Sequence, residues 1–235
     1  MTPTAHAPAL RVGGLTPLTT IDYPGELATV IFCQCCPWRC RYCHNWNLHD
    51  ASAQSSIPWS TIRRFLIQRK GLLDAVVFSG GEPTAQHDLT AALSEVRDLG
   101  FKIGLHTGGA YPERLRQLLP LLDWVGLDIK ALAADYEPIT GVADSGKLAW
   151  ESLSLLLEAG IPLEVRTTVM PNWSSADVGV IAQMLADVGV RNYALQRCDS
   201  RHALDASLPE ATVPLQQLSS EIAAERFARL TLRDR

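Results

Sequence analysis

The chain has no apolar run of membrane-spanning length, no low-complexity tract and no internal repeat. A bilayer span needs about 20 consecutive apolar residues, so no membrane partner is expected. There is no basic excess either: 21 Lys and Arg stand against 25 Asp and Glu, a net charge of −4. That argues against a nucleic-acid binder relying on a broad basic field. The first twelve residues, MTPTAHAPALRV, lack the basic start and apolar segment of a secretory signal. Cysteine is sparse, 6 in 235 residues, and a chain of this length needs no disulfide staples. The expected compartment is a reducing cytoplasm, where thiolates stay available as ligands. Hydrophobic residues make up 47% and charged residues 20%, so a large core is possible. The reading is one domain over 1–235, with an N-terminal tail at about 1–11 and a C-terminal helical extension at about 214–235.

Three of the six cysteines crowd into one loop, Cys36-Pro-Trp-Arg-Cys40-Arg-Tyr-Cys43. They can supply three thiolates to one metal centre and leave a fourth position open for chemistry. A structural zinc site is normally closed by four ligands, and C-x3-C-x2-C is not a usual zinc spacing. The pattern favours iron–sulfur. Zinc stays open, because Cys33 forms C-x2-C with Cys36.

A rhythm runs along the rest of the chain. Asp98-Leu99-Gly100, Glu158-Ala159-Gly160 and Asp187-Val188-Gly189 each place glycine where a left-handed helix C-cap is wanted. Helical stripes precede these glycines, namely Leu89, Ala92, Leu93 and Val96, then Trp150, Leu153 and Leu157, then Val178, Ile181, Leu185 and Val188. Apolar runs that read as buried strands follow them, from Phe101 to Leu105, Ile161 to Val169 and Val190 to Leu195. Further strands are expected at Ala28 to Cys33, Ala75 to Ser79 and Trp124 to Ile129, and helices at Trp59 to Gln68 and Glu113 to Leu119. About six βα units with right-handed crossovers give a parallel α/β sheet. The polar motifs all follow strands: the cysteine loop, Ser79-Gly-Gly-Glu82-Pro83, His106-Thr-Gly-Gly109 and Asp128-Ile-Lys130. Six such units form either a doubly wound sheet or an incomplete barrel, and in a barrel all strand C-terminal ends open on one rim, where a row of motifs from successive strands makes one shared site. The expected fold is therefore a partial (β/α)6 TIM-like barrel.

The cysteine loop after a first strand and Gly-Gly-Glu-Pro after the second resemble the radical S-adenosylmethionine (SAM) superfamily. The resemblance implies one [4Fe-4S] cluster held by Cys36, Cys40 and Cys43, with the amino and carboxylate groups of SAM on the fourth iron. It implies that Tyr42 packs near the adenine; otherwise Tyr42 reads as an ordinary core or surface tyrosine. It implies that Ser79, Gly80, Gly81 and Glu82 bind the methionine amino group; otherwise the segment is a tight βα turn with Pro83 opening a helix. Asp128 and Lys130 share a face at a strand end. Arg166, a charge inside an apolar strand, either clamps the SAM carboxylate or pairs internally with Asp128 or Glu164.

Within the superfamily, Asp22-Tyr-Pro-Gly25 before the first strand and Cys43-His44-Asn45 at the third ligand are similar to the activating enzymes of glycyl radical enzymes. Those acting on anaerobic ribonucleoside-triphosphate reductase are the nearest in pattern. This implies an oxidoreductase that cleaves SAM reductively and makes a glycyl radical on a partner enzyme, with flavodoxin or ferredoxin as electron donor. The alternatives are a radical SAM enzyme on a small molecule, like the 7-carboxy-7-deazaguanine synthases, and a zinc-bound interaction module. The chain departs from the pattern at Cys33, at Cys35 where glycine is usual, at the bulky Trp38, and at His106 where aspartate is usual. His106 would replace a cation site by meeting the SAM carboxylate in its protonated form, or sit on the rim without a role. Cys198 reads as a small buried thiol, with a rim position as its alternative.

Overall fold

The computed structural model describes residues 8–234 other than 51, 53 and 54. Its elements in chain order are β1 (Val12–Thr19), β2 (Ala28–Cys33), α1 (Trp59–Arg69), β3 (Ala75–Gly80), α2 (Leu89–Asp98), β4 (Lys102–Thr107), α3 (Pro112–Leu118), β5 (Trp124–Asp128), α4 (Glu137–Thr140), α5 (Ser145–Ala159), β6 (Leu163–Val169), α6 (Ser175–Asp187), β7 (Asn192–Arg197), α7 (Leu215–Leu218) and β8 (Arg229–Arg233). The eight strands form one sheet whose spatial order equals their chain order. β1 pairs antiparallel with β2, and every later pairing is parallel. No pairing joins β1 to β8 among the described residues, so the barrel stays open along that seam.

The side-chain period of two explains the layering. Ile31, Val76, Phe78, Ile103, Leu105, Val125, Leu127 and Val165 face outward and form the large core with the helices. The alternate residues Ala28, Val30, Ala75, Val77 and Trp124 point inward and pack with Tyr23 into a small inner cluster. Gly104 and Gly126 make room for it: a Cβ on Gly104 would lie 3.0 Å from the Tyr23 ring, and one on Gly126 would lie 2.9 Å from Trp124 and from the Arg166 guanidinium. The three expected helix-ending glycines, Gly100, Gly160 and Gly189, have φ of 92°, 64° and 96°.

The partial barrel of six βα units is present as β2 to β7, and the structure adds a strand at each side. Residues 1–7 of the expected N-terminal tail lie outside the described residues. The remainder of that tail is packed: Leu10 is 2% exposed, and Arg11 N donates to Gln86 Oε1 at 2.7 Å. The helical extension expected at 214–235 is corrected. Only Leu215–Leu218 is α-helical there, and Arg229–Arg233 is a strand on β7. Arg229-Leu-Thr-Leu-Arg233 alternates polar and apolar residues, a two-residue period that suits a sheet edge and not a helix face.

Candidate functional site

The inward-facing positions at the strand C-terminal ends are polar, and together they line one cavity of about 280 Å³. All the residues expected to hold the cluster or SAM reach it. The loop after β2 brings Cys36, Cys40, Tyr42, Cys43 and His44; β3 and its turn bring Ser79, Gly80, Gly81 and Glu82; β4 brings His106; β5 and the residues after it bring Asp128 and Lys130; β6 brings Arg166. The sequence reading assigned no cofactor role to Asn45, Thr107, Gly108, Thr168, Gln196 and Arg197, which also line it. The signal for Thr168 and Gln196 was available: they continue the inward alternation of Arg166 on β6 and Ala194 on β7.

Gly80, which ends β3, and Gly81 after it are demanded by the protein's own backbone. A Cβ on Gly80 would lie 2.6 Å from both N and O of Cys33, and one on Gly81 would lie 2.4 Å from Cys35 O. The same approach lets Gly81 N donate to Cys33 O at 2.8 Å and Glu82 N to Cys35 O at 2.7 Å. Cys35 has a φ of 77°, the left-handed region that glycine occupies without strain. It is held there by Glu82 N and by its own N–H, which donates to Leu48 O at 2.6 Å.

Glu82 is 2% exposed. Its Oε1 accepts from Thr84 N, Thr84 Oγ1 and Thr107 Oγ1 at 3.1, 2.5 and 2.7 Å, and its Oε2 accepts from Gly108 N at 2.9 Å. Burial raises its pKa, and these donors oppose the rise. The carboxylate thus ties the β3 turn to the β4 turn. Pro83 opens only a single 3-10 turn, Pro83–Ala85.

Lys130 is 6% exposed, with Nζ 3.3 Å from Asp128 Oδ2 and 5.5 and 6.0 Å from the ring centroids of Tyr42 and Trp38. Burial opposes its charge, yet Tyr42, Asp128 and Cys40 around it hold its pKa well above the ordinary value. Trp38 fits because residue 108 is glycine, where a Cβ would lie 2.6 Å from the indole. Arg166 donates from Nε to Glu164 Oε1 at 2.8 Å, and Glu164 also accepts from Arg233 Nη2 at 2.8 and 3.0 Å. Of the internal pairs open for Arg166, Glu164 is the one formed, while Asp128 pairs with Lys130.

His106 lines the cavity, but its Nε2–H donates to Asp22 O at 2.8 Å. Burial, then the Arg166 guanidinium, push its pKa well below the ordinary value. The expectation of a protonated His106 meeting a carboxylate is therefore replaced by a neutral imidazole that anchors the segment before β2. His44 donates from Nε2 to Asp199 O at 2.6 Å. Cys198 is 3% exposed and packs in the large core, beside Met170, Leu215 and Leu218 and away from the main cavity. Burial pushes its thiol up to about 11.

The donor set fits an iron–sulfur cluster. Among the described residues no three His, Cys, Asp or Glu side chains converge tightly enough to hold a single metal ion. A four-iron cluster instead asks for one thiolate on each of three separate irons, and three thiols spread around one cavity meet that demand. Burial, and for Cys36 the neighbouring Glu82, push these thiols up, Cys36 to about 12. They are thus protonated when free and would give up protons on ligating a cluster. A second cavity, of about 620 Å³, opens along the seam between residues 20–25 and β8. It shares His44, Arg166, Gln196 and Arg197 with the first.

No helix of the described residues is long and apolar enough to cross a membrane. Over 90% of its length the chain is 28% identical to a protein of Methanocaldococcus jannaschii that carries the name of a glycyl-radical enzyme activating enzyme, covering 89% of that protein. It is 29% identical to the pyruvate formate-lyase-activating enzyme of Clostridium pasteurianum, over 68% of this chain and 69% of that one. Among solved structures, SuiB of Streptococcus suis bound to S-adenosylmethionine superposes with a TM-score of 0.67 at 15% identity, over 85% of this chain and 48% of SuiB. A domain of pyruvate-formate lyase-activating enzyme from Bacteroides vulgatus gives 0.55 at 17% identity, over 68% of this chain and 99% of that domain. The family model for the radical SAM superfamily matches residues 30–185, from within β2 into α6. With that match spanning the cysteine loop and most of the cavity-lining strands, the chain belongs to the radical SAM superfamily.

Proposed function

We propose that this enzyme is an activase, which cleaves SAM reductively and makes a glycyl radical on a partner enzyme. Membership of the superfamily brings a [4Fe-4S] cluster and SAM as cofactors. Cys36, Cys40 and Cys43 hold the cluster. When bound, it supplies one electron that splits SAM into methionine and a 5′-deoxyadenosyl radical, which takes a hydrogen atom from a glycine Cα. The chain's own residues orient SAM. Gly80, Gly81 and Ser79 offer backbone and hydroxyl groups to the methionine amino group, Tyr42 offers its ring to the adenine, and Lys130 offers positive charge to the carboxylate, joined by Arg166 from within its ion pair with Glu164. His44 and Asp128 complete the wall around it.

The observation that carries the activase reading is the open seam. The 620 Å³ cavity there reaches the cofactor cavity from the side, so an extended segment of another protein has a route to it. The near full-length likeness to a relative named for glycyl-radical activation supports the same reading. The partner we favour is anaerobic ribonucleoside-triphosphate reductase, with flavodoxin or ferredoxin giving the electron in a reducing cytoplasm. A second reading, a small-molecule radical SAM enzyme, is favoured by 31% identity to the 7-carboxy-7-deazaguanine synthase of Thermococcus kodakarensis, over 49% of this chain.

The test is anaerobic reconstitution with iron and sulfide, reduction, and addition of SAM with either anaerobic ribonucleotide reductase or pyruvate formate-lyase. The expected result is 5′-deoxyadenosine together with a glycyl radical doublet in the reductase. A doublet only in pyruvate formate-lyase would move the partner. SAM cleavage with no protein radical, and formation of 7-carboxy-7-deazaguanine, would overturn the activase reading. Zinc in place of iron and sulfide would return the chain to an interaction module.

A further inference from the structure

Cys43 has a companion that no motif announces. After Cys43 the chain makes one 3-10 turn, Trp46–Leu48, closed by Leu48 N donating to Asn45 O at 2.9 Å and His49 N to Trp46 O at 3.1 Å. The turn folds the chain back so that His49 Nε2 lies 3.2 Å from Cys43 Sγ. His49 is 7% exposed, and so is Leu48 before it. Leu48 O accepts from Cys35 N at 2.6 Å, which pins the turn to the start of the cysteine loop.

We propose that His49 is a positioning residue for the cluster: its Nε2–H donates a hydrogen bond to the Cys43 thiolate, fixes that ligand and raises the reduction potential of the cluster. This rests on the cluster assignment. A ligating thiolate has no proton to give, so between the two groups the imidazole must be the donor. Hydrogen bonds to the sulfurs are among the terms that set cluster potentials. A donor withdraws charge from sulfur and so favours the state with one more electron. Among the described residues, Cys43 is the only one of the three ligands whose sulfur has a side-chain hydrogen-bond partner. The cluster thus gains an asymmetry at one iron, and that asymmetry comes from a residue six positions after its ligand.

The experiment is a redox titration of the reconstituted wild type, His49→Leu and His49→Gln, followed by electron paramagnetic resonance. Iron and sulfide are measured first, so that failure of the cluster reading is seen separately. The expected result is a midpoint more negative in His49→Leu and restored towards wild type in His49→Gln, whose amide N–H can reach the same sulfur. An unchanged midpoint in His49→Leu, or no restoration by glutamine, would overturn the proposal. If His49→Leu takes up no cluster, pulsed resonance decides the matter on protein with 15N-labelled histidine. It is recorded in a His44→Asn background, so that the flanking imidazole does not contribute. Coupling of a histidine nitrogen to the reduced cluster is expected, and its absence would refute the bond.

Discussion

His106 donates from Nε2–H to Asp22 O and packs against Trp124 with ring centroids 5.5 Å apart, and the Arg166 guanidinium carbon lies 5.3 Å from the same indole. Its pKa is lowered by burial and by that guanidinium, and this has a consequence for stability. In the unfolded chain a histidine takes up a proton at about pH 6.5, whereas in the folded protein His106 resists it. Its contribution is therefore complete above about pH 6.5 and is lost as pH falls from there towards the folded value, with a slope of at most about 1.4 kcal/mol per pH unit. His49, also lowered, acts in the same window. Chemical unfolding of the metal-free protein at pH 7.5 and 5.5 should show the loss, and His106→Gln, which keeps a donor for Asp22 O but does not titrate, should lose less. Equal losses in the two proteins would count against this role. The sequence marked His106 because it follows a strand, but not what the imidazole does, since its partners lie 84 residues back and on other strands. His49 was illegible for a related reason: its approach to Cys43 depends on one 3-10 turn, and no spacing rule records that.

Glu164 is the joint between elements. It sits on β6, holds Arg166 on its own strand and accepts two hydrogen bonds from Arg233 on β8, with β7 between them. Its side chain is 6% exposed and that of Arg166 is 9% exposed. Removing one partner from a buried pair costs about 3–5 kcal/mol, because the remaining charge stays buried. Glu164→Ala should lower unfolding stability by about that amount. Arg233→Ala should cost less, about 1 kcal/mol, because Arg233 is 28% exposed. Denaturant titration of both variants checks the ranking, and a smaller loss for Glu164→Ala than for Arg233→Ala would sink it. The strands themselves were unevenly legible. β2 to β7 are apolar runs, three of them introduced by helix-ending glycines, as buried parallel strands should be. β1 carries Gly13, Gly14 and Pro17, and β8 is five residues with arginine at both ends. Both are edge strands, where Gly, Pro and charge are tolerated because only one side is hydrogen-bonded. Their membership of the sheet is set by partners far away in the chain, which local pattern does not carry.

For the whole molecule, the cavity proposed for the cofactors is the meeting point of loops from β2 to β7, so occupancy and global stability are linked. A ligand present at 100 times its Kd and bound only by the folded state adds about 2.7 kcal/mol. Reconstituted protein with saturating SAM should therefore unfold later than reconstituted protein alone. Cys43→Ala, with the cluster lost, should show no such gain; a gain of equal size there would mean that SAM binds without the cluster. The strand order has a consequence in time. Since each strand pairs with the one made just before it, the sheet can be laid down as the chain leaves the ribosome, N-terminal part first. The cysteine loop follows β2 and is made early. Its cover comes late: Leu204 N donates to Cys43 O, Asp205 N to Arg41 O, and His44 donates to an oxygen 155 residues further on. At about 5–20 residues per second those 155 residues take roughly 8 to 30 s. For that interval the three thiols stand on a nascent sheet without their lid, a window for metal delivery that closes as the chain is completed.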